Sequence, residues 1–471
     1  MAKKNEETKN DLDHDKEDGN NNNQNEQRPH DQNEATDDED HQDSPENQND
    51  SGDDVDFESV IQGEEELITP YVEMNRKKKK ALLEFRCRVE DSILGNYLLG
   101  KPNQYLSRTE ILKQKEILRE ITLWGVPLLP SKGDEGTDIV LLKFLRARDF
   151  KVHEAFQMLR RTLEWRKVYK TDGILEEKLC PDVGKVLCLN SRDREGRPLC
   201  YSVYGAFRDR EVYKRAFGSE EKCDDFLRWR IQCMEKGIKE LEFKNGGVDS
   251  SLQISDFKNS PWPLMKELRS VSKKAMVLFQ ENYPELIHKI IVINAPLWYY
   301  VVHMLRSRFL THNTKRKFVF TRATKVTQTL LKYIAAESLP IQYGGLNREN
   351  DDEFSPLDEA SELKIKGNST AYIEFPVSEA GLTMAWDLSV VGWDVSYKEE
   401  FIPDDEGSYK ILLQNQKRMG DNVRNSFYIS EPGKVLITID NGTFKKKRVL
   451  YRFKARPCTV PMYIFLKKQL E

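Results

Sequence analysis

The residue types that usually carry catalysis are present in this chain, but not in the spacing catalysis needs. His14, His30 and His41 lie in an acidic N-terminal stretch, and His153, His288, His303 and His312 are dispersed over the remainder. The seven cysteines (Cys87, Cys180, Cys188, Cys200, Cys223, Cys233 and Cys458) contain no Cys-x-x-Cys pair. An odd, scattered set fits a reducing compartment rather than a disulfide framework. There is no Gly-rich phosphate loop, no nucleophile elbow, no His-Glu-x-x-His and no dinucleotide glycine pattern. No catalytic residue, metal or cofactor is therefore expected, and the chain is not read as an enzyme. The chemistry that the spacing does offer is cationic. Arg76 to Lys80 are five consecutive basic residues, and Lys445, Lys446, Lys447 and Arg448 are four more. Such runs either solvate a surface or attract an anionic one. No aromatic platform accompanies them, so nucleic acid is not an expected partner.

The elements that position these residues follow from periodicity. The first basic run opens a helix with Leu82, Leu83, Phe85, Val89, Ile93 and Leu94 as its apolar positions. Positive charge at a helix start opposes the dipole, so local helix stability is not its reason. Gly125, Pro127 and the run from Pro130 to Gly136 interrupt the pattern, and Thr137 or Asp138 is expected to cap the next helix. Within Ile139 to Phe150, Lys143, Arg146 and Asp149 recur as a polar face opposite Leu141, Phe144 and Leu145; Val152 to Tyr169 is a second amphipathic helix. Strands are expected at Pro198 to Tyr204, Ser251 to Phe257, Lys289 to Asn294 and Lys317 to Thr321. Helices at Glu220 to Phe243, Pro263 to Asn282, Leu297 to Arg308 and Thr324 to Ala336 alternate with them, which implies a mostly parallel α/β sheet.

After an acidic linker at Asp351 to Glu353, the period changes to two. Leu382, Met384, Trp386, Leu388 and Val390 alternate with Thr383, Ala385, Asp387 and Ser389, and the same alternation returns near Val435 and Val449. Turn signals at Pro432-Gly433 and Asn441-Gly442 complete an antiparallel sandwich, with Trp386 and Trp393 in its core and the second basic run on a hairpin loop beside Phe444.

Charge divides the chain more sharply than its net value of −4 suggests. Residues 1–60 hold 21 Asp/Glu against 5 Lys/Arg, and residues 61–346 hold 51 Lys/Arg against 37 Asp/Glu. The first segment has too few apolar residues to offset its ordering entropy and is expected to be disordered. It could screen the basic remainder electrostatically. No stretch approaches the roughly 20 apolar residues of a bilayer span. The N-terminus lacks an apolar signal core, Ala2 stands where myristoylation needs Gly, and no C-terminal prenylation Cys is present. Any membrane contact is then expected to be peripheral.

Several motifs resemble a known family. Leu142-Lys143-Phe144-Leu145-Arg146-Ala147-Arg148-Asp149-Phe150, followed by Glu164-Trp165-Arg166, is similar to the helical lead-in of CRAL-TRIO lipid-transfer proteins. Asn282-Tyr283-Pro284-Glu285, Ile293-Asn294-Ala295-Pro296, and Leu339-Pro340 with Tyr343-Gly344-Gly345 resemble that domain's core in order and spacing. The β-rich end resembles a GOLD domain, and the whole looks like a patellin. The implied organisation is an acidic disordered tail over 1–75, a helical CRAL-TRIO N-terminal region over 76–175, an α/β lipid-binding domain over 176–346 and a GOLD sandwich over 347–471.

The resemblance implies a cytoplasmic, peripherally membrane-associated carrier or sensor of phosphoinositides and other phospholipids. A bound phospholipid would be its ligand, and the GOLD domain would contact membranes and protein partners. Membrane trafficking and cell-plate formation at cytokinesis are the implied roles, at the cell plate or plasma membrane. The alternative is a GOLD-mediated adaptor with a non-transferring pocket. Two acyl chains carry roughly 24 kcal/mol of transfer free energy at ~0.8 per methylene, so only an enclosed apolar cavity competes with a bilayer. By resemblance, Glu285 and Lys317 bind the inositol phosphate headgroup, Thr314 precedes that Lys, and Ser251 and Arg148 lie nearby. Gln253 and Asp149 depart from family members, which carry Thr and Lys there. The helix after Pro296, with Trp298, Tyr299, Val302, Leu305 and Phe309, is apolar nearly all round: by periodicity it is a core or lipid-facing helix, and by resemblance a gate. Lys445, Lys446, Lys447 and Arg448 would form a membrane-contact loop, each cation contributing about 1 kcal/mol near anionic lipid.

Overall fold

The computed structural model describes residues 74–100, 107–179, 186–261, 266–307, 315–392, 394–416, 418–419 and 422–457. The acidic N-terminal stretch, Phe309, Thr314 and Trp393 lie outside the described residues, as do the side chains of Trp298 and Val302.

A helical lead-in comes first: α1 (Arg76–Leu94), α2 (Arg108–Arg119), a small hairpin of β1 (Thr122–Leu123) and β2 (Val126–Pro127), α3 (Glu135–Ala147) and α4 (Val152–Tyr169). Asn75 caps α1, and Ser107 with Glu110 forms a capping box on α2. The cap of α3 is Asp134, which accepts from the Gly136 N–H, rather than Thr137 or Asp138. Those two are engaged elsewhere: Thr137 Oγ1 donates to the Pro127 carbonyl at 2.8 Å, and Asp138 pairs with Arg86 on α1. Phe85 and Val89, Val140 and Phe144, and Ala155 and Leu159 bring the three long helices into one core. Lys143 does not join a solvated face. It is 1% exposed, and its Nζ meets Asp249 Oδ2 at 3.0 Å, the Asp249 carbonyl at 2.7 Å and the Glu285 carbonyl at 3.0 Å. The face that periodicity marks as polar is covered by turns from distant parts of the chain, whose oxygens satisfy the ammonium.

The α/β domain follows: β3 (Leu187–Arg192), β4 (Pro198–Val203), α5 (Arg210–Phe217), α6 (Glu220–Lys239), β5 (Ser251–Asp256), α7 (Lys266–Asn282), β6 (Ile287–Ile293), α8 (Leu297–Ser307), β7 (Phe318–Phe320) and α9 (Val326–Tyr333). The sheet order is β3-β4-β5-β6-β7; β4 to β7 run parallel, and the unanticipated β3 pairs antiparallel with β4. Leu199, Tyr201, Leu252, Ile254, Ile291 and Ile293 face one side of the sheet, where Leu330 and Leu331 of α9 cover them. The alternate residues Cys200, Ser251 and Gln253 line a cleft on the other side with α6 and α7, as the period of two requires.

Eight strands complete the described chain: β8 (Ser361–Ile365), β9 (Ser369–Val377), β10 (Leu382–Val391), β11 (Ser396–Pro403), β12 (Ile411–Gln416), β13 (Asn422–Ile429), β14 (Gly433–Asn441) and β15 (Lys447–Pro457). They form two antiparallel four-stranded sheets, ordered β13-β10-β15-β8 and β12-β11-β14-β9. Met384, Trp386 and Leu388 meet Phe375, Val435 and Ile437 between the sheets. Trp386 is fully buried and donates its Nε1–H to Glu399 at 2.9 Å.

The outer face of β10 departs from the expected alternation. Asp387 and Ser389 are 0% and 1% exposed, because that face is covered by the segment leaving the α/β domain. Ser389 Oγ donates to the Gly344 carbonyl at 2.9 Å, Arg452 Nη2 to the Leu346 carbonyl at 2.8 Å, and Leu450 joins the core beneath α9. Asp351 is not in a solvated linker either. It pairs with Arg424 at 2.6 Å, and the Phe354 ring lies under Arg424 and Arg452.

Candidate functional site

The cleft between the sheet and helices α6 and α7 is partly open to solvent and spans about 550 Å³ when that open part is counted. Cys200, Ser251 and Gln253 line its floor, Arg230 and Met234 one wall, and Phe279 of α7 another. Its largely apolar lining with a few polar groups suits a small-molecule or lipid site. Leu286 and Ile287 also line it, and Ser251 Oγ donates to the Leu286 carbonyl at 3.2 Å. Glu285 therefore sits next to the cleft.

The turn before β6 sets the direction of Glu285. Its φ of +54° is left-handed, an unusual conformation for a residue with a long side chain. Two anchors hold it there: the Lys143 ammonium on its carbonyl at 3.0 Å, and Tyr283 two residues earlier. The Tyr283 hydroxyl donates to Glu235 Oε1 at 2.6 Å, and Arg166 Nη1 donates to the same carboxylate at 2.6 Å. The Trp165-Arg166 and Tyr283-Pro284 motifs thus meet on one buried carboxylate of α6. Burial and the neighbouring Glu235 push the Tyr283 phenol far above its ordinary value, so it stays a donor. Burial pulls the Lys143 ammonium down, against the pull of Asp249.

So oriented, Glu285 pairs with Lys317, just before β7, at 2.8 Å. Each side chain is about one-fifth exposed (22% and 21%), leaving both heads reachable by a ligand. Glu285, Lys317 and Ser251 are thus gathered at one place. Arg148 turns instead to Glu281 at 3.2 Å and to the Ala147 carbonyl.

Helix α8 covers the β6–β7 side of the same sheet face. The Tyr299 ring lies 4.5 Å from that of Phe257, the Tyr300 ring 5.1 Å from Phe320, and the His303 ring 4.5 Å from Phe318. The opposite side of α8 carries Leu297, Val301, Met304 and Leu305, all at least half exposed. Its start is tied to the sheet. Asn294, at φ +54°, donates Nδ2–H to Asp256 Oδ1 at 2.8 Å, and the Tyr343 hydroxyl donates to Asp256 Oδ2 at 3.0 Å. Asn294 and Tyr343, far apart in the chain, converge on one carboxylate. His288 and His303 are half-buried, and burial lowers both, His288 to about 4.

Known families match this geometry in the same order. The CRAL/TRIO N-terminal domain matches residues 103–161, the CRAL/TRIO domain residues 182–345, and the Patellin-1-like C-terminal GOLD domain residues 366–447. Patellin-4 of Arabidopsis thaliana is 49% identical over 347 residues, covering 73% of this chain and 63% of Patellin-4. Patellin-6 of the same plant is 44% identical over 368 residues, covering 76% of this chain and 88% of Patellin-6. The chain belongs to the patellin family. The phosphatidylinositol transfer protein SFH5 of Kluyveromyces lactis is more distant, at 26% identity over 250 residues, 52% of this chain and 77% of that protein. No helix among the described residues is long and apolar enough to cross a membrane.

In the patellin GOLD domain the second basic run is not one loop. Lys447 and Arg448 belong to β15. Lys447 is 7% exposed and donates to the Gly392 carbonyl at 2.6 Å, and Arg448 pairs with Glu362 at 2.6 Å. Pairing with β8 draws these two into the sheet, leaving Lys445 and Lys446 exposed beside a 91% exposed Phe444. Sequence reasoning missed Glu235, Asp256 and Arg230 as site residues and took Lys143 for a surface residue. Each is a charged residue in an element otherwise chosen for its apolar periodicity. That was the available signal.

Proposed function

We propose that this patellin is a peripherally membrane-associated phospholipid carrier or phosphoinositide sensor that holds one lipid without changing it covalently. The supporting observation is the Glu285–Lys317 pair, each side chain about one-fifth exposed, beside an apolar cleft floored by the sheet. Lys317 can give a phosphate oxygen a charge-assisted hydrogen bond, while Glu285 accepts from inositol hydroxyls. Helix α8 is the gate: its aromatic side closes on Phe257 and Phe320, and its outer leucines and Met304 meet acyl chains at a membrane. The family resemblance extends this to membrane trafficking and cell-plate formation at cytokinesis. Protein partners would be recruited through the GOLD domain.

Native mass spectrometry after incubation with phosphatidylinositol-containing vesicles tests the reading. The wild-type chain is expected to take up one lipid. Lys317→Ala and Glu285→Ala should each lower phosphatidylinositol occupancy about 10- to 100-fold, the range of a hydrogen bond to a charged group. Folded protein that takes up no lipid would favour the adaptor instead.

Membrane docking through the GOLD tip gives a second expected result. Replacing Lys445 and Lys446 together by Gln should weaken binding to anionic vesicles by about 2 kcal/mol, roughly 30-fold, at low salt. Arg448→Gln, whose partner is Glu362, should change vesicle binding little. Equal losses from both variants would contradict this placement.

A further inference from the structure

Several arginines packed into the lead-in and α/β domains have carboxylate partners. Arg166 has Glu235, Arg148 has Glu281, Arg197 has Asp193, and Arg228, two residues from Arg230 on α6, has Glu177. Arg230 has no such partner among the described residues. It is half-buried and lines the cleft, and its guanidinium carbon lies over the Phe279 ring, 5.9 Å from the centroid. No hydrogen bond or ion pair joins it to another residue among the described residues. Around it the cleft offers Cys233, Met234, Ile238 and Leu241, with Ser251 and Gln253 as polar groups on the floor.

A guanidinium facing apolar walls without a counter-charge is a standing electrostatic demand. Its five donors and planar fork match two oxygens of a phosphodiester. The same wall is ill-suited to a cationic group, which would have to lie beside an unneutralised Arg. Arg230 is half-buried among these apolar residues, so part of its hydration is already lost. A charge-assisted bond there is stronger than one at the surface.

We infer that Arg230 is the phosphate-recognising residue of the cleft: its guanidinium takes the lipid phosphodiester from the α6 wall, while Glu285 and Lys317 read the headgroup beyond it. This rests on the carrier reading and divides its recognition in two. Arg230 selects for any phosphodiester lipid, and the Glu285–Lys317 pair selects among headgroups.

The test uses the full chain, vesicles of phosphatidylinositol or of phosphatidylcholine, and native mass spectrometry of lipid occupancy. Arg230→Met should lower occupancy by both lipids at least tenfold, with an unchanged thermal midpoint. Arg230→Lys should recover part of it. Lys317→Ala should reduce phosphatidylinositol alone. Should Arg230→Met fold poorly, Arg230→Gln, which keeps a polar end without charge, carries the same expectation. A folded Arg230 variant that loads both lipids like wild type overturns the assignment and leaves the carrier reading standing. Loss confined to phosphatidylinositol also overturns it, placing Arg230 with the headgroup pair. Wild-type protein that loads neither lipid overturns the carrier reading itself, and the assignment with it.

Discussion

Asp387→Ala is expected to destabilise the chain by about 3–5 kcal/mol, read as a fall in the denaturant midpoint, because it removes a buried carboxylate shared by three arginines and leaves Asp351 as the nearest acid to two of them. Asp387 is fully buried on β10 and accepts from Arg424 at 2.7 Å, Arg348 at 3.2 Å and Arg452 at 3.2 Å. Burial already pulls Arg452 below its ordinary value in spite of Asp387, so the variant leaves this buried cation with less compensation. Asp387→Asn, which keeps shape and one acceptor, should cost less. A loss under about 1 kcal/mol for the Ala variant would mean that water had replaced the carboxylate, as it does for exposed pairs.

The same cluster gives stability a pH dependence. Burial would raise Asp351, but its hydrogen bonds from Arg424 and from the Phe354 and Glu353 N–H groups outweigh burial and hold it well below the usual carboxylate range. A depressed folded value means stabilisation that is fully present above the unfolded value, near pH 4, and lost as pH falls through the folded value. Acid unfolding followed below pH 4 should therefore be less steep in Asp351→Asn, which has lost this contribution at every pH.

Glu235→Ala is expected to cost a similar amount, about 3–5 kcal/mol, since it leaves Arg166 buried beside the Tyr283 hydroxyl without the shared acceptor. Both partners bond to one oxygen at 2.6 Å, and Asp172, the other partner of Arg166, is 81% exposed and a poor substitute. The effect should reach lipid binding. Tyr283 holds the turn that carries Glu285, so phosphatidylinositol occupancy should fall at temperatures where the variant is still folded. Glu235→Gln, which keeps an acceptor for Tyr283, should retain more occupancy than Glu235→Ala. Equal occupancy in wild type and Glu235→Ala would show that Lys143 alone holds the turn.

Much of the fold was legible because it depends on short-range repetition. The period of two around Trp386 identifies β10 and which residues face between the sheets, and spacings of three and four place Phe144 and Leu159 in the lead-in core. The near-continuous apolar surface of α8 is likewise a property of the chain alone. The failures share a cause. Asp387 and Ser389 alternate correctly, but alternation says only that a strand has two faces, and a segment of the preceding domain covers the second one. Lys143 falls on the polar side of α3, yet the oxygens that accept from it are 106 and 142 residues away.

The sequence by itself determined the charge partition, the order of helical, α/β and β-rich regions, and the family to which its motifs point. Those properties reside in composition and in spacings of a few residues. The tertiary structure alone decided that Arg166 and Tyr283 share Glu235, that Asn294 and Tyr343 share Asp256, that Lys447 is withdrawn from the basic loop, and that Arg230 faces a cleft without a counter-charge. Each depends on which surfaces pack together. A buried charge is satisfied or left waiting according to neighbours that only packing brings within hydrogen-bond reach.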